Sequence, residues 1–111
     1  MKFNITTHPL CYLIEIEGRI DSYTAPKIEP VLNDLFNKEP MNIVIDLEKT
    51  IYLSSSGILL FVKAQERCIN IGKGKIIFCS VPKFIYYSFS LSGFDKLFTF
   101  CKNHTIAMQS L

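Results

Sequence analysis

The chain has 111 residues, of which 49% are hydrophobic and 20% charged, with a net charge of +2. That length fits one domain and allows a core that needs neither disulfides nor metal. The weak charge comes with no basic run, which argues against direct nucleic-acid or anionic-membrane binding, and the longest aliphatic-aromatic stretch, 58–62, falls far short of the ~20 residues that span a bilayer.

Taken in chain order, residues 3–6 and 10–17 read as two strands joined by a turn at Thr7-His8-Pro9. In the second, Tyr12, Ile14 and Ile16 alternate with Leu13, Glu15 and Glu17, which gives a half-buried strand with an acidic outer face that ends at Gly18. Residues 24–38 carry Ala25, Ile28, Val31, Leu32, Leu35 and Phe36 at three- and four-residue spacing, the apolar stripe of a helix. Ser22 or Thr24 can cap this helix and Pro26 suits its first turn, whereas Pro30 removes a backbone bond and predicts a late start or a distorted first turn.

The run Asn-Ile-Val-Ile-Asp-Leu at 42–47 predicts a central strand buried on both faces, followed by a loop over 48–53. Ser54-Ser55-Ser56-Gly57 then leads into a second helix over 56–70. Its polar face holds Lys63, Glu66, Arg67 and Asn70, and its apolar side Ile58, Phe61, Ala64, Cys68 and Ile71. Followed back toward the N-terminus, the polar face reaches Leu59, Leu60 and Ser56, so leucine beside serine is the expected partner surface. Gly72-Lys73-Gly74 reads as a helix end and turn, 75–81 as a strand, 82–93 as a short aromatic helix with Phe84, Tyr86, Tyr87 and Phe89, 96–101 as a last strand, and 105–111 as a final helical turn or two. Strands separated by helices point to an α/β layer fold.

Signatures of catalysis are absent. The two glycines at 72 and 74 lack the Lys-Ser/Thr of a phosphate-binding loop, no Gly-x-Ser-x-Gly elbow occurs, and His8 and His104 form no ligand-like spacing with Cys11, Cys68, Cys79 and Cys101. The cysteines read as buried thiols acting as small hydrophobes, and neither metal nor cofactor is expected. With no signal-peptide pattern at the start, the expected location is the cytoplasm. Asp46, at the end of a central strand, and Asp21, in the turn before the first long helix, are each a turn or cap residue or part of a site. Hydroxyls at a helix N-terminus can cap the helix or receive a phosphate, and the residues alone leave both open for the three serines.

Together, Asn42-Ile-Val-Ile-Asp46-Leu, Tyr52-Leu53-Ser54-Ser55-Ser56-Gly57-Ile58, Gly18-Arg19-Ile20-Asp21, the Gly72-to-Pro82 stretch and Ser92-Gly93-Phe94 resemble the STAS-domain anti-sigma-factor antagonists over essentially the whole chain. The resemblance implies an α/β fold in one domain, a mixed, mostly parallel sheet of about five strands with about four helices mainly on one face. It implies a binding protein rather than an enzyme, which engages an anti-sigma factor that is also a serine kinase, is released by phosphorylation and is reset by a serine phosphatase. Relatives read Asp-Ser-Ser/Thr-Gly where this chain has Ser54-Ser55-Ser56-Gly57, so the resemblance makes Ser55 the phosphate acceptor and puts Ser54 in place of the usual carboxylate. Asp21, Ser54, Ser56, Gly57, Leu59, Leu60 and Lys63 are the partner-binding candidates. Two other readings stay open: a STAS interaction module without phosphorylation, in which Ser55 only caps, and a STAS domain that binds a nucleotide or lipid near Asp21 and the helix end.

Overall fold

A computed structural model describes residues 1–38, 42–72 and 74–111, so Lys73 of the predicted turn lies outside the described residues. The strands are β1 (Lys2–Thr7), β2 (Tyr12–Ile20), β3 (Ile43–Asp46), β4 (Thr50–Leu53), β5 (Ile76–Cys79) and β6 (Thr99–Cys101). The helices are α1 (Ala25–Phe36), α2 (Ser55–Ile71), α3 (Lys83–Leu91) and α4 (His104–Gln109). The sheet runs β1-β2-β3-β5-β6, with β4 paired to β2 off that path. Among the described residues β1–β2 is the antiparallel pair; β2–β3, β3–β5, β5–β6 and β2–β4 are parallel.

Three predictions about the strands need correction. β2 does not stop at Gly18 but continues to Ile20, because this glycine adopts φ +101° and absorbs a register shift that a side chain would resist. Four of the six residues of the predicted loop at 48–53 form β4. β3 is only four residues long, so β2 outruns it, and β4 takes over as its parallel neighbour through Gly18–Thr50 and Ile20–Leu53. Thr50 secures the changeover, its hydroxyl donating to the buried Ile16 carbonyl at 2.8 Å. At the other end of the chain the strand predicted over 96–101 divides into a single 3-10 turn, Asp95–Leu97, and the shorter β6.

The period-2 alternation of the strands sorts the core into two faces. Ile14, Ile16, Ile43, Ile45, Ile76 and Phe78 meet α1, α2 and α3 in the main core. Leu13, Val44, Ile77 and Cys79 form a smaller cluster with Ala107 of α4 on the reverse face. Leu13 is therefore buried rather than part of the outward face that Glu15 and Glu17 keep. Cys11, Cys68 and Cys79 are buried and Cys101 partly so, all as free thiols. Burial, with the Asp46 carboxylate nearby, pushes the Cys79 thiol up to about 12, which makes it a packing group rather than a nucleophile.

α1 corrects the reading of its own start. It begins at Ala25 and keeps Pro30 inside, so Pro30 brings no late start. Neither Ser22 nor Thr24 caps it. The Asp21 carboxylate accepts the Tyr23 and Thr24 amides at 3.0 and 3.1 Å, while the Thr24 hydroxyl is drawn to the Arg19 carbonyl at 2.8 Å. Ile71, predicted on the apolar side of α2, is exposed, because the helix runs past the sheet before Gly72 ends it in a left-handed turn at φ +77°.

The aromatic helix α3 divides likewise: Phe89 is buried, whereas Phe84 and Tyr87 face outward. Phe78 is the hub beneath it, with ring centroids of Phe61, Phe89, Phe98 and Phe100 at 5.0 to 5.6 Å. Emptying that position should cost about 3–5 kcal/mol, the range for deleting a fully buried phenyl ring. Phe78→Ala is thus expected to lower the denaturant midpoint sharply in equilibrium unfolding; a midpoint within error of the parent would refute the hub role.

Candidate functional site

The three serines sit where β4 hands the chain to α2. One caps the helix and two are open to solvent. Ser54 is the N-cap in extended conformation, its Oγ accepting the Gly57 amide at 3.2 Å and its own amide donating to the Ile20 carbonyl at 2.9 Å. Ser55 and Ser56 are the first two helical residues, both exposed, and neither hydroxyl has a partner among the described residues. The cap is therefore Ser54, not Ser55, because a cap oxygen must reach the third helical amide from the residue just outside the helix. Helix α2 accordingly starts one residue earlier than the predicted Ser56.

Gly57 explains why the first turn lies so close to the sheet. A Cβ on it would come within 2.6 Å of Leu53 Cδ1, 2.8 Å of Ile20 Cγ2 and 3.2 Å of the Ile20 carbonyl oxygen. It is buried and faces inward rather than lying open on the surface, and what the structure shows for it is close approach to Leu53 and Ile20.

Around the serines lies a shallow concavity of about 330 Å³, lined by Arg19, Asp21, Ser22, Tyr23, Tyr52 and the serines themselves. A second shallow groove adjoins it past Ser56, between α1 and α2, with Glu29, Leu59 and Lys63 in its walls. Of the two leucines expected at the surface, Leu59 is 49% exposed but Leu60 only 5%. The reason is angular. Leu60 stands on the flank of α2 that turns toward α1, where Ala25 and Pro26 line the same groove.

Asp21 is held from several sides. Slight burial raises its pKa, but hydrogen bonds from Tyr23 and Thr24 and the charge of Arg19 outweigh that and hold the carboxyl below its ordinary value. It is an ionised fixture of the loop rather than an acid-base group. Asp46 is not part of this site. Its Oδ1 accepts the Glu48 amide at 2.8 Å, and it lines a different concavity with Glu15 and Glu17.

Two residues of the site carried no role in the sequence reading. Arg19 and Tyr52 pair across β2 and β4, and the guanidinium lies 4.2 Å above the tyrosine ring centroid. Only the Gly-x-Ile-Asp turn marked Arg19, as its variable position, and Tyr52 stood in the presumed loop. Among the described residues no group of three or more His, Cys, Asp or Glu side chains is arranged to hold a metal ion. No described helix is long and apolar enough to cross a membrane.

Among the described residues the arrangement leaves the Ser55 and Ser56 hydroxyls open to solvent at a helix N-terminus. Residues 2–107 match the family model of the STAS domain. The anti-sigma-B factor antagonist of Staphylococcus aureus (strain NCTC 8325 / PS 47) is 29% identical over 99 residues, 87% of this chain and 91% of that protein. An anti-sigma factor antagonist from Mycobacterium paratuberculosis superposes with a TM-score of 0.83 at 21% identity, covering 98% of this chain and 92% of that one. The Bacillus cell fate determinant SpoIIAA in its phosphorylated form superposes with a TM-score of 0.74 at 14% identity, over 99% and 100% of the two chains.

Two substitutions separate capping from packing. Ser54→Ala should cost about 1 kcal/mol of stability, while Ser54→Asp, an equally good cap, should cost almost nothing in thermal or denaturant unfolding. Equal losses in both would show that the Ser54 oxygen is not the cap. Gly57→Ala gains helix propensity but overpacks the sheet, and should destabilise by about 1–3 kcal/mol in the same assay; a stabilised Gly57→Ala protein would rule out the close approach.

Proposed function

The chain belongs to the STAS domain family, its match running over residues 2–107, and from that premise we propose that it is an anti-sigma-factor antagonist, whose free form binds an anti-sigma factor and whose Ser55-phosphorylated form does not. The observation that carries this reading is the division of labour among the serines. Ser54 is committed to the cap, which leaves Ser55 and Ser56 as exposed hydroxyls without a partner among the described residues, and of the two the family motif gives the acceptor position to Ser55, the first helical residue.

In the proposed reaction the anti-sigma factor is itself the serine kinase and brings ATP and Mg²⁺. Ser55 Oγ attacks the γ-phosphorus, its proton passes to a base on the kinase, the bond to the bridging oxygen breaks and ADP leaves. A serine phosphatase resets the protein by hydrolysis. The chain contributes a hydroxyl and a docking surface and catalyses nothing itself. Its setting is the cytoplasm, where ATP and sigma factors meet.

Physical chemistry supports release by charge rather than by unfolding. Phosphorylation adds about −1.5 to −2 charges at neutral pH. At the N-terminus of α2 the helix dipole and open backbone amides favour that charge, and the phosphorylated form of SpoIIAA keeps this fold. The penalty falls on the interface, built in this reading from Asp21, Ser56, Leu59 and Lys63. A dianion beside Leu59 would have to lose its hydration when a partner covers it.

Ser54 is compatible with this role. Aspartate and serine are comparable N-caps, so the exchange at the position where the family carries Asp preserves the start of α2 and the orientation of Ser55.

Incubation with the cognate anti-sigma factor, ATP and Mg²⁺ should attach a single phosphate, mapped to Ser55 by peptide mass spectrometry, and Ser55→Ala should take up none while still binding the partner. Phosphate on another serine, or on none, would contradict the assignment of Ser55.

A further inference from the structure

Arg19 is an exposed and loosely held cation. Its Nε stands 3.7 Å from Asp21 Oδ2, beyond hydrogen-bonding distance, and its side chain is 57% exposed. The remaining restraint is the stack on Tyr52. Asp21 spends Oδ1 on the Tyr23 and Thr24 amides and on the Thr24 hydroxyl, so it offers Arg19 no two-pronged carboxylate. Among the described residues Arg19 is also the one cation lining the concavity that holds Ser55, and it shares that concavity with Asp21 as the one carboxylate. Lys63 and Glu29 lie in the adjoining groove beyond Ser56.

We propose that Arg19 senses the phosphoryl group: when Ser55 is modified, the guanidinium leaves Asp21 and pairs with the phosphate oxygens, so the charge placed on α2 is passed to the end of β2. The proposal rests on Ser55 being the phosphate acceptor. The exchange is favoured on three counts. The phosphate carries more charge than the carboxylate, presents several free oxygens to the planar fork of the guanidinium, and competes with one loose ion contact and an exposed stack on Tyr52. The move needs no backbone change, because Arg19 is anchored in the β2–β4 pair and its exposed side chain alone swings. Its consequence reaches past the phosphate itself. Asp21 and the Tyr52 ring lose their cation, so the surface offered to a partner changes at both ends of the concavity.

The test uses full-length protein with phosphoserine incorporated at position 55 during translation, so no kinase is involved. The second ionisation of the phosphate is followed by ³¹P NMR as a function of pH at low ionic strength. With Arg19 present, the phosphate should titrate about one pH unit lower than in Arg19→Gln, because a nearby cation favours the dianion. Added salt should narrow the difference. Arg19→Lys, which keeps the charge but not the fork, should fall between the two, and it serves as the comparison if the glutamine variant does not fold. A midpoint unmoved by either substitution overturns the proposal. So does a midpoint that responds to Lys63→Gln and not to Arg19→Gln, which would give the phosphate to the cation on α2. A kinase that fails to modify Ser55 would count against the proposed function and leave this titration standing, so the two failures can be told apart.

Discussion

The structure turns on one close approach, the first turn of α2 lying against the ends of β2 and β4. The Ile20 carbonyl accepts the Ser54 amide at 2.9 Å, and only a residue without a Cβ fits at Gly57 over Ile20 and Leu53. These contacts fix the direction in which α2 leaves the sheet. They also fix which serine caps the helix and which two are offered to solvent. If α2 began a few ångströms further out, Ser54 could not hold both the Ile20 carbonyl and the Gly57 amide.

A modifiable residue at such a junction must sit on a surface that tolerates new charge, yet within reach of groups that report it. The N-terminus of α2 meets the first requirement through its dipole and open amides. The β2–β4 pair meets the second, since it brings Arg19 and Tyr52 to the rim of the same concavity. The apolar mass behind them is well separated from the site. Phe78 and its ring neighbours pack beneath α2 and α3, while Ser55, Leu59 and Lys63 remain outside. A change of charge at the rim therefore need not disturb the core, which is what a reversible binding switch requires.

The fold class was legible in the sequence because α1, α2 and the buried strands carry clean periodicity, and because the glycine- and serine-rich turns fall at family spacings. The losses have physical causes. β4 went unseen because Thr50-Ile-Tyr-Leu is four residues long, and what makes it a strand is the unpaired edge left where β2 outruns β3. Leu60 was misplaced because a helix wheel cannot show that α1 covers its flank. The cap fell to Ser54 rather than Ser55 through a shift of one residue in the start of α2, set by tertiary contact with Ile20. Arg19 had no signal beyond the variable position of the Gly-x-Ile-Asp turn, since Asp21 is its chain neighbour but Tyr52 reaches it only through the β2–β4 pairing.

The central claim is that charge on Ser55 separates this protein from its partner without unfolding it. The most direct measurement is calorimetric titration of the cognate anti-sigma factor with unmodified and Ser55-phosphorylated protein, each checked for native circular dichroism. The account predicts at least a hundredfold weaker binding of the phosphorylated form, about 3 kcal/mol, with an unchanged spectrum. Equal affinities, or a weaker one that comes with loss of the native spectrum, would contradict it.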